Sequence, residues 1–165
     1  MSKNIDLYVR NIVFGISDSL VSTVGLLSGI DVSGISRQVI ILTGVVYAFV
    51  EAFSMAVGSF LSEESAEEYA VKGEVPDGKP FVAGVVMFVS FILASFIPII
   101  PYLFCSLGVA LWLSIALSIA ALFIVGLISA DVIKVHVLKH AIKMALLGGA
   151  AIIIGVIVGK FVKTS

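Results

Sequence analysis

Two carboxylic acids and one thioether lie inside apolar stretches of this sequence, where such side chains are rare. Asp18 falls within residues 11–30, and Glu51 and Met55 lie one helical turn apart within residues 38–61. An ionised acid at the centre of a membrane costs about 3 kcal/mol and is usually retained for function. Because carboxylates bind hard or borderline cations and thioethers bind softer ones, this set favours Fe²⁺ or Mn²⁺ over Na⁺ or Mg²⁺.

Helical geometry places these three side chains at successive depths. Asp18 lies roughly 12 Å from the level of Arg10, while Met55 lies roughly 10 Å and Glu51 about 16 Å from the level of Ser62. The second stretch runs opposite to the first, so both distances are measured from the same membrane face. If the two helices meet, the side chains form a ladder that descends from that face. A structural interpretation stays open for each acid, as an interhelical hydrogen-bonding group or a protonated carboxyl, and a methionine alone is typical of core packing.

Four glutamates follow the second apolar stretch: Glu63, Glu64, Glu67 and Glu68. Like charges four residues apart on a helix repel each other. Such a run is ordinarily a solvated surface. The alternative is that a cation bridges the carboxylates, which would make them a collecting site at the mouth of the ladder.

His136 and His140 have a helical spacing that can chelate a metal. The glutamate of the zinc-protease pattern is missing, since Val137 follows His136, and this favours an interfacial role without metal binding. The sequence contains no nucleophile–base set and no glycine-rich phosphate loop. We therefore expect neither an enzyme nor a transport ATPase, and no resident cofactor.

The composition defines the class of protein in which these residues act. The chain has 165 residues, of which 60% are hydrophobic and 13% charged, with a mean hydropathy of +1.21. A soluble domain of this length has too little interior to bury so much apolar surface. The prediction is an all-α integral membrane protein with a single transmembrane domain over residues 1–165 and lipids as partners. The net charge of −1 gives no indication of nucleic acid, and the lone Cys105 excludes an internal disulfide.

The hydropathy pattern predicts five transmembrane helices. Pro98 and Pro101 interrupt a long uncharged stretch and are expected to end a helix, because each removes a backbone donor. An acidic, cytoplasmic helical extension is predicted for residues 62–72. The predicted spans cover residues 11–30, 38–61, 81–97, 103–130 and 141–159.

Small residues at steps of three and four mark the faces that pack closely. On the first span, Asp18, Ser22, Gly25 and Gly29 share a face, and we expect it to meet the second span or a second copy of itself across a two-fold axis. On the second span, the corresponding face consists of Gly44, Ala48, Glu51, Met55, Gly58 and Ser62. On the fifth span, it consists of Ala151, Gly155 and Gly159.

Orientation follows from the excess of basic residues on the cytoplasmic side. With the N-terminus inside, the inner segments hold seven Lys and Arg residues and the outer segments three. The prediction is a cytoplasmic N-terminus and an outer or luminal C-terminus.

Three segments resemble the vacuolar iron transporter family, which includes yeast-type vacuolar iron and manganese transporters. These are Ile12–Ile30, Glu51–Glu68 with its Ser-Met core, and Pro80–Leu103 with its double proline. The resemblance implies a homodimeric antiporter that exchanges Fe²⁺ or Mn²⁺ for protons and exports the metal from the cytoplasm. It implies a path at the dimer interface lined by Asp18, Glu51 and Met55.

The sequence departs from the family pattern in three places. Ser19 follows Asp18 where family members usually have glycine, and Ser59 stands where an acid is common. Only residues 62–79 are available for the long cytoplasmic metal-binding segment that many members carry. This short form favours a prokaryotic cell membrane over a vacuolar one. A metal-binding scaffold or sensor that transports nothing, or an ion channel, remains the alternative.

Overall fold

The computed structural model describes residues 3–76 and 78–163. These residues form α1 (Lys3–Val32), α2 (Arg37–Val71), α3 (Gly78–Phe104), α4 (Leu107–Val132) and α5 (Val137–Lys163). All five helices are long and apolar enough to cross a membrane. The predicted all-helical fold with five transmembrane helices is confirmed.

The helices alternate in direction, so α1, α3 and α5 run parallel to one another and opposite to α2 and α4. α1 contacts each of the other four helices. Side-chain hydrogen bonds fix its register against α3: Ser19 Oγ donates to the Phe91 carbonyl at 2.8 Å, and Asn11 Nδ2 donates to the Ala83 carbonyl at 3.2 Å. In both pairs the two residues are 72 positions apart in the chain, as expected for two parallel helices packed side by side.

Apolar residues at helical spacing form the core between the helices. One cluster joins Leu27, Ile40 and Ile99 with Tyr102, and a second joins Leu20 with Leu122. Large apolar side chains also point outward, as Trp112 does with 71% of its surface exposed. Such a surface is stable in lipid, where the backbone is satisfied within each helix and apolar side chains face the hydrocarbon.

The prolines do not break the third helix, so the predicted end of the span at residue 97 is wrong. α3 continues through Pro98 and Pro101 to Phe104, and the turn to α4 falls at residues 105–106. Both prolines are buried. Neighbouring groups stabilise this segment, since Ser114 Oγ of α4 donates to the Pro98 carbonyl at 2.8 Å. The prolines leave the Ala94 and Ile97 carbonyls without their usual intrahelical donors. Transmembrane helices tolerate this where neighbouring helices, hydroxyl groups or small helix adjustments compensate.

The closest helix contact joins α1 to α5. A Cβ built on Gly29 would lie 2.6 Å from the backbone oxygen of Gly155, and one built on Gly155 or Gly159 would overlap the backbone of Gly25 or Gly29. The two helices meet here because each carries small residues at the same spacing. The glycine face of α1 was expected to meet α2 or a second copy of α1, and the structure instead covers it with α5.

α2 is longer than a bilayer requires. Its 35 residues span about 52 Å at 1.5 Å per residue, against a hydrocarbon core of about 30 Å. It ends at Lys72, which has a left-handed backbone with φ 56°. Of its predicted small-residue face, Gly44 and Ala48 are buried, whereas Gly58 and Ser62 are exposed. The acidic residues 63–68 therefore lie on a helical extension.

Candidate metal site

Asp18 of α1 and Glu51 of α2 face each other across the two antiparallel helices. Both side chains are half-buried, and they are close enough for their charges to interact. Two carboxylates at one depth between membrane-spanning helices are costly unless a proton or a cation compensates them. The structure thus brings together the two acids that the sequence singled out.

Tyr47 and Ser22 complete this cluster, and Tyr47 was not among the predicted site residues. The Tyr47 side chain interacts with that of Ser22, and its phenol is close enough to Asp18 and Glu51 to interact with their charges. Ser22 Oγ donates to the Asp18 carbonyl at 2.6 Å. Tyr47 lies one turn before Glu51 on α2, so helical spacing from the acid is the sequence signal that would have found it.

Met55 lies one turn beyond Glu51 and is half-buried. Further along, Asn11 Nδ2 donates to Ser59 Oγ at 3.0 Å, and Asn11 is buried. The Asp18–Glu51 pair and the Asn11–Ser59 bond follow one antiparallel register of α1 and α2. In that register, Met55 falls between the acid pair and the Asn11–Ser59 bond. The same Asn11 amide also donates to the Ala83 carbonyl and so connects α1 to α3.

The four glutamates of the α2 extension do not act alike. Glu63 forms an ion pair with Lys79 at 3.2 Å and a longer one with Arg10 at 3.8 Å. Glu67 is bonded to the same Lys79 ammonium group. Within the described part of the chain, Glu64 and Glu68 form no ion pair. The Lys79 ammonium group therefore bridges Glu63 and Glu67, and metal collection at these glutamates stays a prediction.

The two histidines lie one helical turn apart at the start of α5, where the His140 N–H donates to the His136 carbonyl at 3.0 Å. α4 ends at Val132 and α5 begins at Val137, so His136 lies in the turn and is exposed. His140 lies in the first turn of α5 and is half-buried. A turn at Lys134, which has φ 59°, separates the end of α4 from these histidines.

A single chain provides few metal ligands at any one place. Among the described side chains, those of residues 7–76 and 78–163, no three His, Cys, Asp or Glu lie together as a metal-binding group. The Asp18–Glu51 pair supplies two carboxylates, and Met55 is the nearest predicted third ligand.

Five membrane-length helices with two facing acids between the first and second have the architecture of an ion-transport protein. The model of the VIT family matches residues 9–75 and 67–160 of this chain. A search of curated proteins returns no match.

The chain belongs to the VIT family, the vacuolar iron transporters, because the family match covers nearly all of its length. The protein is accordingly an integral membrane metal transporter, and its family is one of transporters and not of enzymes.

Proposed function

We propose that the protein exports Fe²⁺ or Mn²⁺ from the cytoplasm in exchange for protons. The observation that carries this proposal is the facing pair Asp18 and Glu51 within the membrane-spanning part of α1 and α2. Carboxylate oxygens with a thioether one turn away suit a borderline divalent cation. Metal would enter past the acidic extension, pass Met55, and reach the acid pair.

Competition between proton and metal supplies the coupling. A carboxylate binds the metal only when deprotonated, so proton binding from the far side releases the metal. The two acids repel each other when both are ionised, which favours binding of a divalent cation or of a proton. No further titratable group is required for the exchange.

A homodimer would complete the ligand set. One chain offers two carboxylates and one thioether, whereas a two-fold axis beside α1 and α2 would place two such sets at one interface. Among the helices that α1 contacts, its packing against α2 is thinner than its packing against α3 or α5. This thinner packing supports a second copy on the Asp18–Glu51 side of the bundle.

Uptake into proteoliposomes tests the transport proposal. We expect Fe²⁺ and Mn²⁺ to enter faster when the lumen is acidic, and Glu51→Gln to reduce the initial rate at least about tenfold, because it removes an anionic ligand. The matched control is Asp131→Asn, which makes the same carboxyl-to-amide change at an exposed position outside the site. An unchanged rate in folded Glu51→Gln protein would refute the proposed path. No uptake by folded wild-type protein would favour a metal-binding scaffold.

Mixed dimers test whether the two chains share the site. Wild type and an Asp18→Asn, Glu51→Gln variant are reconstituted after random mixing in equal amounts. If both chains contribute ligands to one site, about one quarter of the wild-type rate remains, since only wild-type pairs are active. About one half would remain if each chain transports alone, and that result would contradict the shared interface.

A further inference from the structure

A crevice of about 710 Å³ opens between α1, the end of α4 and the start of α5. It lies at the end of the bundle that holds the N-terminal part of α1. The shape follows from the α1–α5 seam. The two helices are in close contact at Gly25, Gly29 and Gly155, and they separate toward the opposite end, where the crevice forms.

Basic groups and apolar walls line this crevice. Arg10, His140 and Lys143 contribute its nitrogen-bearing side chains, while Phe14 and Leu147 are among its apolar ones. No Asp or Glu of the described residues lines it. The crevice therefore offers positive charge beside a surface that would otherwise contact hydrocarbon.

The hydroxyl groups inside the crevice are already satisfied by the protein. Ser17 Oγ donates to the Val13 carbonyl at 2.6 Å, and Ser129 Oγ donates to the Gly126 carbonyl at 3.3 Å. The interior thus does not require a polar occupant, and the groups left to bind a ligand are those of the three basic side chains.

The two cationic side chains Lys143 and Arg10, which line the crevice, have little pairing with anionic groups. Lys143 forms no ion pair with the described side chains, those of residues 7–76 and 78–163. Among those same side chains, Arg10 pairs only with Glu63, at 3.8 Å, and the Arg10 side chain is 70% exposed. Exposed ion pairs of this length contribute little, so both cations remain available to an anion.

We propose that this crevice binds an anionic phospholipid. Its phosphate would lie among Arg10, His140 and Lys143, and one acyl chain would follow the apolar walls along α1 and α5. A free phosphate would leave those walls without a partner, and a neutral apolar ligand would leave the cations unpaired. Basic pockets between transmembrane helices recognise anionic headgroups by this combination. The proposal requires only that the protein spans a membrane and does not depend on the proposed transport cycle.

Lipid titration tests the site directly. Dioctanoyl phosphatidylglycerol is added to delipidated protein in a non-ionic detergent, and bound lipid is counted by native mass spectrometry. We expect it to bind at least about fivefold more tightly than dioctanoyl phosphatidylcholine, and Lys143→Gln to weaken binding about fivefold because one cation is lost. The matched control is Lys139→Gln, which removes the same charge from the same helix outside the crevice and should change the affinity less than about twofold.

Each other outcome contradicts the site. Equal affinity for the two lipids, or an equal effect of the Lys139 and Lys143 variants, would show that the crevice does not select an anionic headgroup. Displacement of the lipid by glycerol phosphate at equal concentration would show a soluble-anion site instead. If Lys143→Gln protein does not fold, Arg10→Gln provides the same comparison from α1.

Discussion

Asp18 and Glu51 interact across α1 and α2, and Tyr47 and Ser22 belong to the same polar cluster. Two carboxylates this close repel each other when both are ionised, so a bound cation or proton stabilises the cluster. We propose that Met55 supplies the third ligand of this site. Its thioether would favour a borderline metal over a hard one.

Replacing Met55 by leucine should change metal preference more than stability. The side chains are similar in volume, and such exchanges usually cost less than about 1.5 kcal/mol. Loss of the thioether should lower Fe²⁺ transport about tenfold and Mn²⁺ transport less, since Mn²⁺ is the harder ion. Initial rates for both metals in proteoliposomes provide the measurement. Identical rates before and after the exchange would indicate a channel-like pore without a sulfur ligand.

The sequence could identify the two acids but not all of their neighbours. An acid inside an apolar stretch stands out because its burial is costly. Tyr47 does not stand out, because an aromatic residue in an apolar helix is typical of packing. Asn11 lies at the border of a predicted span, and only the fold reveals that it is buried between Ser59 and the Ala83 carbonyl.

At the helix level, α1 and α5 form one tightly packed pair, whereas α2 is held mainly by α3. Small residues at regular steps show that another backbone comes close, but they do not show which one. This is why the sequence predicted a close contact for Gly25 and Gly29 and assigned it to the wrong partner. In the structure, Gly155 and Gly159 of α5 match the spacing of Gly25 and Gly29, so the backbones of α1 and α5 come into contact.

Two glycine-to-alanine exchanges in α5 should have opposite effects. Gly155→Ala places a methyl group against the backbone of Gly25, and overpacking of this kind costs about 1–3 kcal/mol. Gly149→Ala meets no neighbouring atom and should stabilise the helix by about 0.8 kcal/mol, through the higher helix propensity of alanine. Thermal unfolding in detergent measures both. A shift of the same sign for the two variants would contradict the close seam.

Lys79 joins the α2 extension to α3 by occupying the space between Glu63 and Glu67. If those glutamates collect metal, Lys79 competes with it. Lys79→Gln should then strengthen Mn²⁺ binding about fivefold, because it frees both carboxylates and an ion pair at a protein surface contributes up to about 1 kcal/mol. Lys72→Gln is the control, because Lys72 caps the same helix without an ion pair among the described residues. Binding isotherms that coincide for wild type and Lys79→Gln would argue against collection at these glutamates.

For the whole molecule, hydropathy alone was sufficient to count the helices, because five long apolar segments leave few alternatives. It misplaced the end of α3, because the rule that proline ends a helix holds for exposed helices and fails where neighbours satisfy the backbone. The orientation rests on the distribution of Lys and Arg, seven against three.

Single-cysteine labelling tests that orientation in intact cells. In a Cys105→Ser background, Ser106→Cys places an exposed thiol in the α3–α4 turn, and Ser65→Cys places one on the acidic extension. We expect a membrane-impermeant maleimide to label residue 106 in intact cells and residue 65 only after permeabilisation. The reverse pattern would mean that the N-terminus faces outward and that metal enters from the other side.

The contact between α1 and α5 joins the first of the five helices to be synthesised with the last. Helices leave the ribosome from the N-terminus onward, so α1 enters the membrane with its glycine groove open and can fill it only after residues 137–163 have been made. The intervening helices must therefore be in place before assembly is complete. We expect nascent chains arrested after α4 to be cut by a membrane protease and full-length chains to resist it. Equal resistance in a pulse-chase experiment would show that four helices already form a stable bundle.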